Sequence, residues 1–307
     1  MTTHVLESTT DTVIDIFSPD LPPVLTVAVG DTVIVHTLDS GGFFERPGDG
    51  SGPREQMIPT LRGHCLVGPI AIAGTVPGQV LAIHFDSLRP DSWGETNAAH
   101  LENWLNGRLG FVPTDATTLI WNLDADKQIG VNQLGLSVAL RPFLGVVALT
   151  PAENGEHSTV PPRQDGAGNI DCRELVAGST LYIPVTVPGS MLSIGDGHAA
   201  QGDGEVSGTA IETGMTTQMT LTIEADPAVD SVHAVTPAGR ITFGFDADLN
   251  EAAAVALGAM LTWMEKIYSI SKAEAIAMAS VAVSMRVTQI ANGTWGVHAL
   301  LPDEAIF

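Results

Sequence analysis

The sequence predicts a mainly β protein of the α+β class, in which a β-sandwich or barrel-like portion carries a small C-terminal α/β part with two helices. Three observations predict it. Short apolar runs recur between Gly- or Pro-containing turns from the start of the chain. Strict period-two alternation marks TTQMTLTIEA at 216–225. Two helix-start signals stand close together near the C-terminal end.

Taken in order, VLTVAV (24–29) and TVIVHTL (32–38) flank Gly30-Asp31 and read as two strands joined at a tight turn. The same device recurs at 71–85, with Pro77-Gly78 at the turn, and again at 175–194, which makes three hairpin-like units. Residues 39–62 are rich in Gly, Pro and charge and read as a long loop, a feature more often functional than idle. Residues 91–135 scatter Trp93, Trp104 and Trp121 through polar sequence and give no clear period. The apolar run LRPFLGVVALTP (140–151) leads into a second polar loop at 152–171. Near the end, Asp248 and Glu251 open one helix, and Ser271 with Glu274 forms a capping box before another. A strand-like TWGVHALL (294–301) follows. The expected division is a β-rich portion at 1–225 and an α/β portion at 226–307, packed as one globular unit.

Composition narrows the function. The 307 residues hold 13 Lys+Arg against 35 Asp+Glu, a formal net charge of −22, with 44% hydrophobic residues. So apolar a chain is not intrinsically disordered. So acidic a chain repels phosphate backbones and anionic lipid, which argues against a nucleic-acid or membrane partner. Its most apolar stretch, 252–287, is interrupted by Glu265, Lys266, Lys272 and Glu274. A membrane span needs ~20 uninterrupted apolar residues. Cys65 and Cys172 lie in no CxxC motif, and the first residues show no basic-then-apolar leader, so a reducing cytoplasm is the expected compartment.

The densest polar constellation is GDGHAAQGDGE at 195–205, directly after the strand-like SMLSI. Asp196 and His198 are two apart, so on an extended chain they point to one side, as ligation of a metal by one strand requires. Carboxylate oxygen with imidazole nitrogen suits zinc and other first-row metals. The glycines allow close backbone approach to a ligand. A solvated acidic turn is the competing reading. An EF-hand is excluded, because its alternate oxygen ligands and closing Glu are missing.

The 152–171 loop supplies Glu153, Glu156, His157 and Asp171. Asp171 stands at a loop-to-strand junction, a good place for a fixed ligand. Glu156 and His157 are adjacent and would face opposite ways on a strand. His64 closes the first polar loop; a lone histidine is more often structural than a ligand. Cys172 has no adjacent base and reads as a small buried hydrophobe. G-x-S-x-G, G-x-x-x-x-G-K-[ST] and H-E-x-x-H are all absent, so serine-hydrolase and nucleotide chemistry lack support.

On these residues the chain resembles the acetamidase/formamidase family. The likeness runs through PPVLTVAVGDTVIVHTLDS, GHCLVGPIAIAGTVPGQVLAIHF, RPFLGVVALTPAENGEHSTVPPR and the long GAGNIDCRELVAGSTLYIPVTVPGSMLSIGDGHAAQGDGE, with helices similar to the family's at the end. The resemblance implies a metal-dependent hydrolase of short amides such as formamide and acetamide, and a homo-oligomer of two or more copies. It implies a divalent metal, zinc first and calcium second, at Asp171, Asp196 and His198, with His64 a further candidate ligand. Glu153, Asp203 and Glu205 become candidates for the general base or supporting acids. Departures from the family pattern are Ala167 in the AGNID segment, Gln79 where P-G-D is usual, and Ser284 where a carboxylate is expected. They leave a larger amide, a cyclic imide, or a non-catalytic ligand-binding homologue as alternatives.

Overall fold

The computed structural model describes residues 1–48, 54–100 and 104–307. Among the described residues two large sheets face each other across an apolar core. Nine strands form the first, in the order Thr3–Glu7, Thr32–Thr37, Met215–Glu224, Val80–Pro90, Thr180–Pro184, His233–Thr236, Gly239–Asp246, Trp295–Leu301 and Ser284–Gln289. The second has eleven strands, with Phe143–Leu149, Leu192–His198, Glu212–Thr213, Trp93–Ala98 and Thr117–Asp124 in its central part. Val33, Val35, Ile83 and Met219 from the first sheet meet Val67, Leu144, Val147 and Ile194 from the second, all essentially without solvent exposure. Burying these faces is the main stabilising contribution, at roughly 25 cal/mol per Å² of apolar surface.

The three units expected as hairpins are something else. Leu25–Ala28 pairs in parallel with Leu66–Ala73 in the second sheet, whereas Thr32–Thr37 pairs with Thr3–Glu7 and Met215–Glu224 in the first. Leu66–Ala73 and Val80–Pro90 likewise lie in different sheets, as do Thr180–Pro184 and Leu192–His198. Each turn therefore carries the chain across the sandwich. At the first, Gly30 takes φ 91°, and the buried Asp31 carboxylate accepts from the amides of Thr2 and Ala28. That fixes a corner, and the apolar strands on either side find partners far away in sequence.

The unassigned stretch at 91–135 supplies strands Trp93–Ala98, Thr117–Asp124 and Ile129–Asn132, with the short helix α1 at Trp104–Leu109. Its Trp121 is buried against Leu123, Leu140, Ala199 and Ile211, and its indole N–H donates to Thr96 Oγ1 at 3.0 Å. The 152–171 loop contains two short strands, His157–Ser158 and Ala167–Asn169.

Both predicted helices are present. Helix α2, Leu249–Tyr268, starts where the Asp248 side chain accepts from Asn250 N, and α3, Lys272–Ala282, starts on the complete Ser271/Glu274 capping box. Helix α2 lies on Gly239–Asp246 so closely that a Cβ on Gly244 would stand 2.7 Å from Ala256 N. The first sheet crosses residue 225 without a break, because Thr180–Pro184 pairs directly with His233–Thr236. Among the described residues no helix is long and apolar enough to cross a membrane.

Candidate active site

The site is built where the buried strand Leu192–His198 ends. Asp196 and His198 project to the same face of this strand, which is sandwiched between Phe143–Leu149 and the two-residue strand Glu212–Thr213. Room for them comes from Gly145, the residue across from Asp196. A Cβ there would stand 2.7 Å from Asp171 Oδ1 and 2.9 Å from His198 Cε1, and would also strike Asp196 Oδ2. Gly145 O also accepts from the amides of Ile170 and Asp171, at 2.9 and 3.3 Å, which delivers Asp171 to the same spot.

On the other side, His198 stands opposite Glu212, and Glu212 opposite Glu95, a row of three polar side chains across adjacent strands. His198 Nε2 lies 3.2 Å from Glu212 Oε1 and 3.5 Å from Asp196 Oδ1. Glu205 arrives from the loop after the strand. That loop is held by the end of the strand Ser284–Gln289, since Gly204 N donates to Thr288 O at 3.0 Å and Ile290 N to Gly204 O at 2.9 Å. Asp171, Asp196 and Glu205 all take left-handed backbone, with φ 54°, 57° and 46°. Such backbone costs energy in a non-glycine residue and is concentrated at functional sites.

The result is four carboxylates, Asp171, Asp196, Glu205 and Glu212, gathered around one imidazole and all buried. One atom each from Asp171, Asp196 and His198 lie within 4.8 Å of one another, as do atoms of His198, Glu205 and Glu212. Both Asp171 oxygens, His198 Nε2 and Glu212 Oε2 are buried without a hydrogen-bond partner. Unpartnered lone pairs on a buried acidic cluster are what a divalent cation satisfies, and oxygen with imidazole is a suitable donor set. The group fits a metal.

The electrostatics agree. Burial, aided by the neighbouring carboxylates, pushes Asp171 well above the usual carboxylate range, and burial beside Asp171 does the same to Glu205. Burial also acts upward on Asp196, but the imidazoles of His64 and His198 outweigh it and hold Asp196 low. Burial acts downward on His198, yet the charges of Glu212 and Asp196 overcome it and raise the imidazole.

Of the residues singled out in the sequence, Asp171, Asp196, His198 and Glu205 thus come together. His64 acts on Asp196 from the end of the first loop, its Nδ1 3.1 Å from Thr159 Oγ1. Asp203 and Glu153 stand apart from the cluster. Asp203 Oδ2 lies 3.6 Å from Arg286 Nη1, and Glu153 is exposed on the surface with Oε2 3.3 Å from Arg163 Nη2. Ser284 begins the edge strand of the other sheet.

Sequence reasoning passed over Glu212, Glu95, Asp39, Gln201 and Gly145. Arg54 Nη2 lies 2.9 Å from both Glu95 oxygens, and its guanidinium covers the Phe43 ring. Burial raises Asp39 to about 7 although the Phe43 amide donates to it, with Glu95 and Glu212 adding to the rise. A cavity of about 800 Å³ opens beside Arg54, Glu95 and Asn97, and one of about 400 Å³ beside Gln201 and Glu205.

A buried carboxylate–histidine centre on a two-sheet sandwich is thus the class of site this chain builds. The chain belongs to the acetamidase/formamidase family, whose sequence model matches residues 2–157 and 152–304. It is 26% identical to a formamidase of Methylophilus methylotrophus, over 62% of this chain and 58% of that protein. It is also 26% identical to an acetamidase of Mycolicibacterium smegmatis, over 62% of this chain and 60% of that protein. These alignments span less than two thirds of the relatives' own length. The crystal structure of an acetamidase from Bacillus halodurans superposes with a TM-score of 0.83 at 25% identity, covering 97% of both chains.

Proposed function

We propose that this protein hydrolyses a short-chain amide, formamide or acetamide in type, to carboxylate and ammonia, using a divalent cation held by Asp171, Asp196 and His198. The observation that carries this reading is the convergence of four buried carboxylates on His198, with both Asp171 oxygens, Glu212 Oε2 and His198 Nε2 unpartnered. Family membership supports the reaction class. When bound, the cation supplies Lewis acidity, polarising the amide carbonyl and lowering the pKa of water. Zinc suits the imidazole and carboxylate donors, and calcium is the alternative for so oxygen-rich a group.

The chain's own residues do the rest. Asp171, Asp196 and His198 hold the cation, and Glu212 faces His198 from the neighbouring strand. Glu205 is the favoured proton carrier: it is buried beside Asp171 and also lines the cavity of about 400 Å³. It takes a proton from the attacking water and passes it to the leaving amine. Glu153 is exposed and ion-paired to Arg163, and Asp203 lines the same cavity but stands beside Arg286 instead of Asp171.

Ammonia release tests this reading directly. Release from formamide or acetamide that stops on chelation and returns with added zinc or calcium is the expected result. Turnover indifferent to chelation, or none from metal-loaded protein, contradicts it. The walls of the smaller cavity, among them Trp121, Val138, Val206 and Ile211, favour a second reading in which a larger amide is the substrate. Faster release from longer acyl amides in the same assay would select it. We propose further that copies of the chain associate, as the exposed Ile129, Leu134 and Leu136 suggest, with light scattering as the check. The free, buried thiols of Cys65 and Cys172 support a reducing cytoplasmic setting.

A further inference from the structure

Gln201 follows His198 by three residues, and its side chain makes two hydrogen bonds, both into the site. Its Oε1 lies 2.9 Å from His198 Nδ1, and its Nε2 donates to the backbone carbonyl of Asp171 at 2.7 Å. These two contacts determine each other. A backbone carbonyl can only accept, so the amide nitrogen must face Asp171 and the amide oxygen must face His198. That oxygen accepts only, so Nδ1 must carry a proton. His198 therefore presents Nε2 to Asp196 and Glu212, where it lies buried and without a hydrogen-bond partner.

The backbone beneath Gln201 is held firmly enough for this role. Ala199 N donates to Ile211 O at 2.9 Å, Ile211 N to Ala200 O at 3.0 Å, and Arg141 N to Ala199 O at 2.9 Å. The Phe143 ring meets the His198 imidazole edge-on at 5.1 Å, which restrains its tilt but cannot choose which nitrogen is protonated. At Asp171 the backbone is left-handed, with φ 54°. A hydrogen bond to its carbonyl opposes relaxation of that strained turn.

We propose that Gln201 is a positioning residue: one amide group sets the tautomer of His198 and anchors the backbone that delivers Asp171, so that both side chains are preset to receive the cation. This rests on the reading that Asp171, Asp196 and His198 hold a divalent cation. Groups that orient a metal-binding histidine typically change affinity by about 10- to 100-fold when removed.

The test uses zinc as the probe. Affinity is measured by chelator competition for wild type, Gln201→Ala and Gln201→Glu, and 15N NMR of the zinc-loaded protein reads the His198 ring nitrogens. Wild type is expected to show a protonated, exchange-protected Nδ1. Gln201→Ala is expected to lose that protection and about 10- to 100-fold in zinc affinity, with an unchanged circular dichroism spectrum. Gln201→Glu keeps an acceptor for Nδ1–H but loses the donor to Asp171 O, so the protected Nδ1 proton should persist while zinc affinity falls between the other two. Unchanged zinc affinity in Gln201→Ala overturns the proposal, as does an unprotonated Nδ1 in wild type. Wild-type protein that takes up neither zinc nor, in a parallel titration, calcium is detected before any variant is made and overturns the cation reading itself, and this role with it.

Discussion

Glu174 lies three residues beyond Asp171 in the chain and is buried as deeply, yet the two carboxylates are compensated in opposite ways. Glu174 accepts from Arg141 Nη2 and Arg286 Nη1, each at 2.8 Å, and Arg173 Nε stands 4.0 Å away. Asp171 shares its surroundings with three other carboxylates, and neither of its oxygens has a partner. The whole chain has only 13 Lys+Arg, and three of them gather around Glu174. At Glu174 the fold compensates a buried carboxylate with guanidiniums. At the Asp171 group it supplies only imidazoles, and in the proposed reading a cation from outside completes the balance.

The largest effect should come from filling the space the site needs while leaving every charge in place. Gly145→Ala puts a methyl group against Asp171, Asp196 and His198. It should lower zinc affinity and amide turnover by at least about 100-fold, as disruption of the positioned ligands themselves does. Glu174→Gln should behave in the opposite way. It leaves Arg141 without its carboxylate and Arg286 with only the more distant Asp203, and should cost about 2 kcal/mol of stability, read by denaturant unfolding, while zinc stoichiometry stays as in wild type.

pH sharpens the contrast. In metal-free protein Asp171 and Glu205 titrate above their ordinary values of 3.8 and 4.5, and His198 above 6.5. A group raised in the folded state stabilises fully below its unfolded pKa and loses that contribution as pH rises through the folded one. Metal-free protein should therefore lose stability as pH climbs from about 4 through neutrality. Asp196, held low, works the other way and loses its contribution only as pH falls below 3.8. Bound zinc should flatten the neutral part of the curve, and melting temperatures against pH with and without chelator would show it.

The smallest effect belongs to the surface. Glu153→Gln removes one exposed ion pair with Arg163 and should leave both the unfolding midpoint and turnover essentially unaltered.

What was legible in the sequence follows the same division. The spacing of Asp196 and His198 survives folding because both lie on one strand, where a period of two fixes their common face. The capped helices were legible because capping is local. Glu212 was not, since it acts from a two-residue strand whose partners, His198 and Glu95, lie elsewhere in the chain. Gln201 stood inside the quoted motif, but its role depends on reaching the Asp171 carbonyl, thirty residues away. Gly145 is invisible as a site residue until its neighbours are known. The three hairpin-like units failed for a related reason: a glycine turn between apolar runs specifies a change of direction, and which sheet the second strand joins is decided by distant partners.

The most direct measurement is the metal content of chelator-stripped protein after equilibrium dialysis against zinc, for wild type and Asp171→Asn. Wild type is expected to take up zinc in stoichiometric amount, and Asp171→Asn is not. Wild-type protein that returns metal-free, or Asp171→Asn that binds as wild type does, would contradict it.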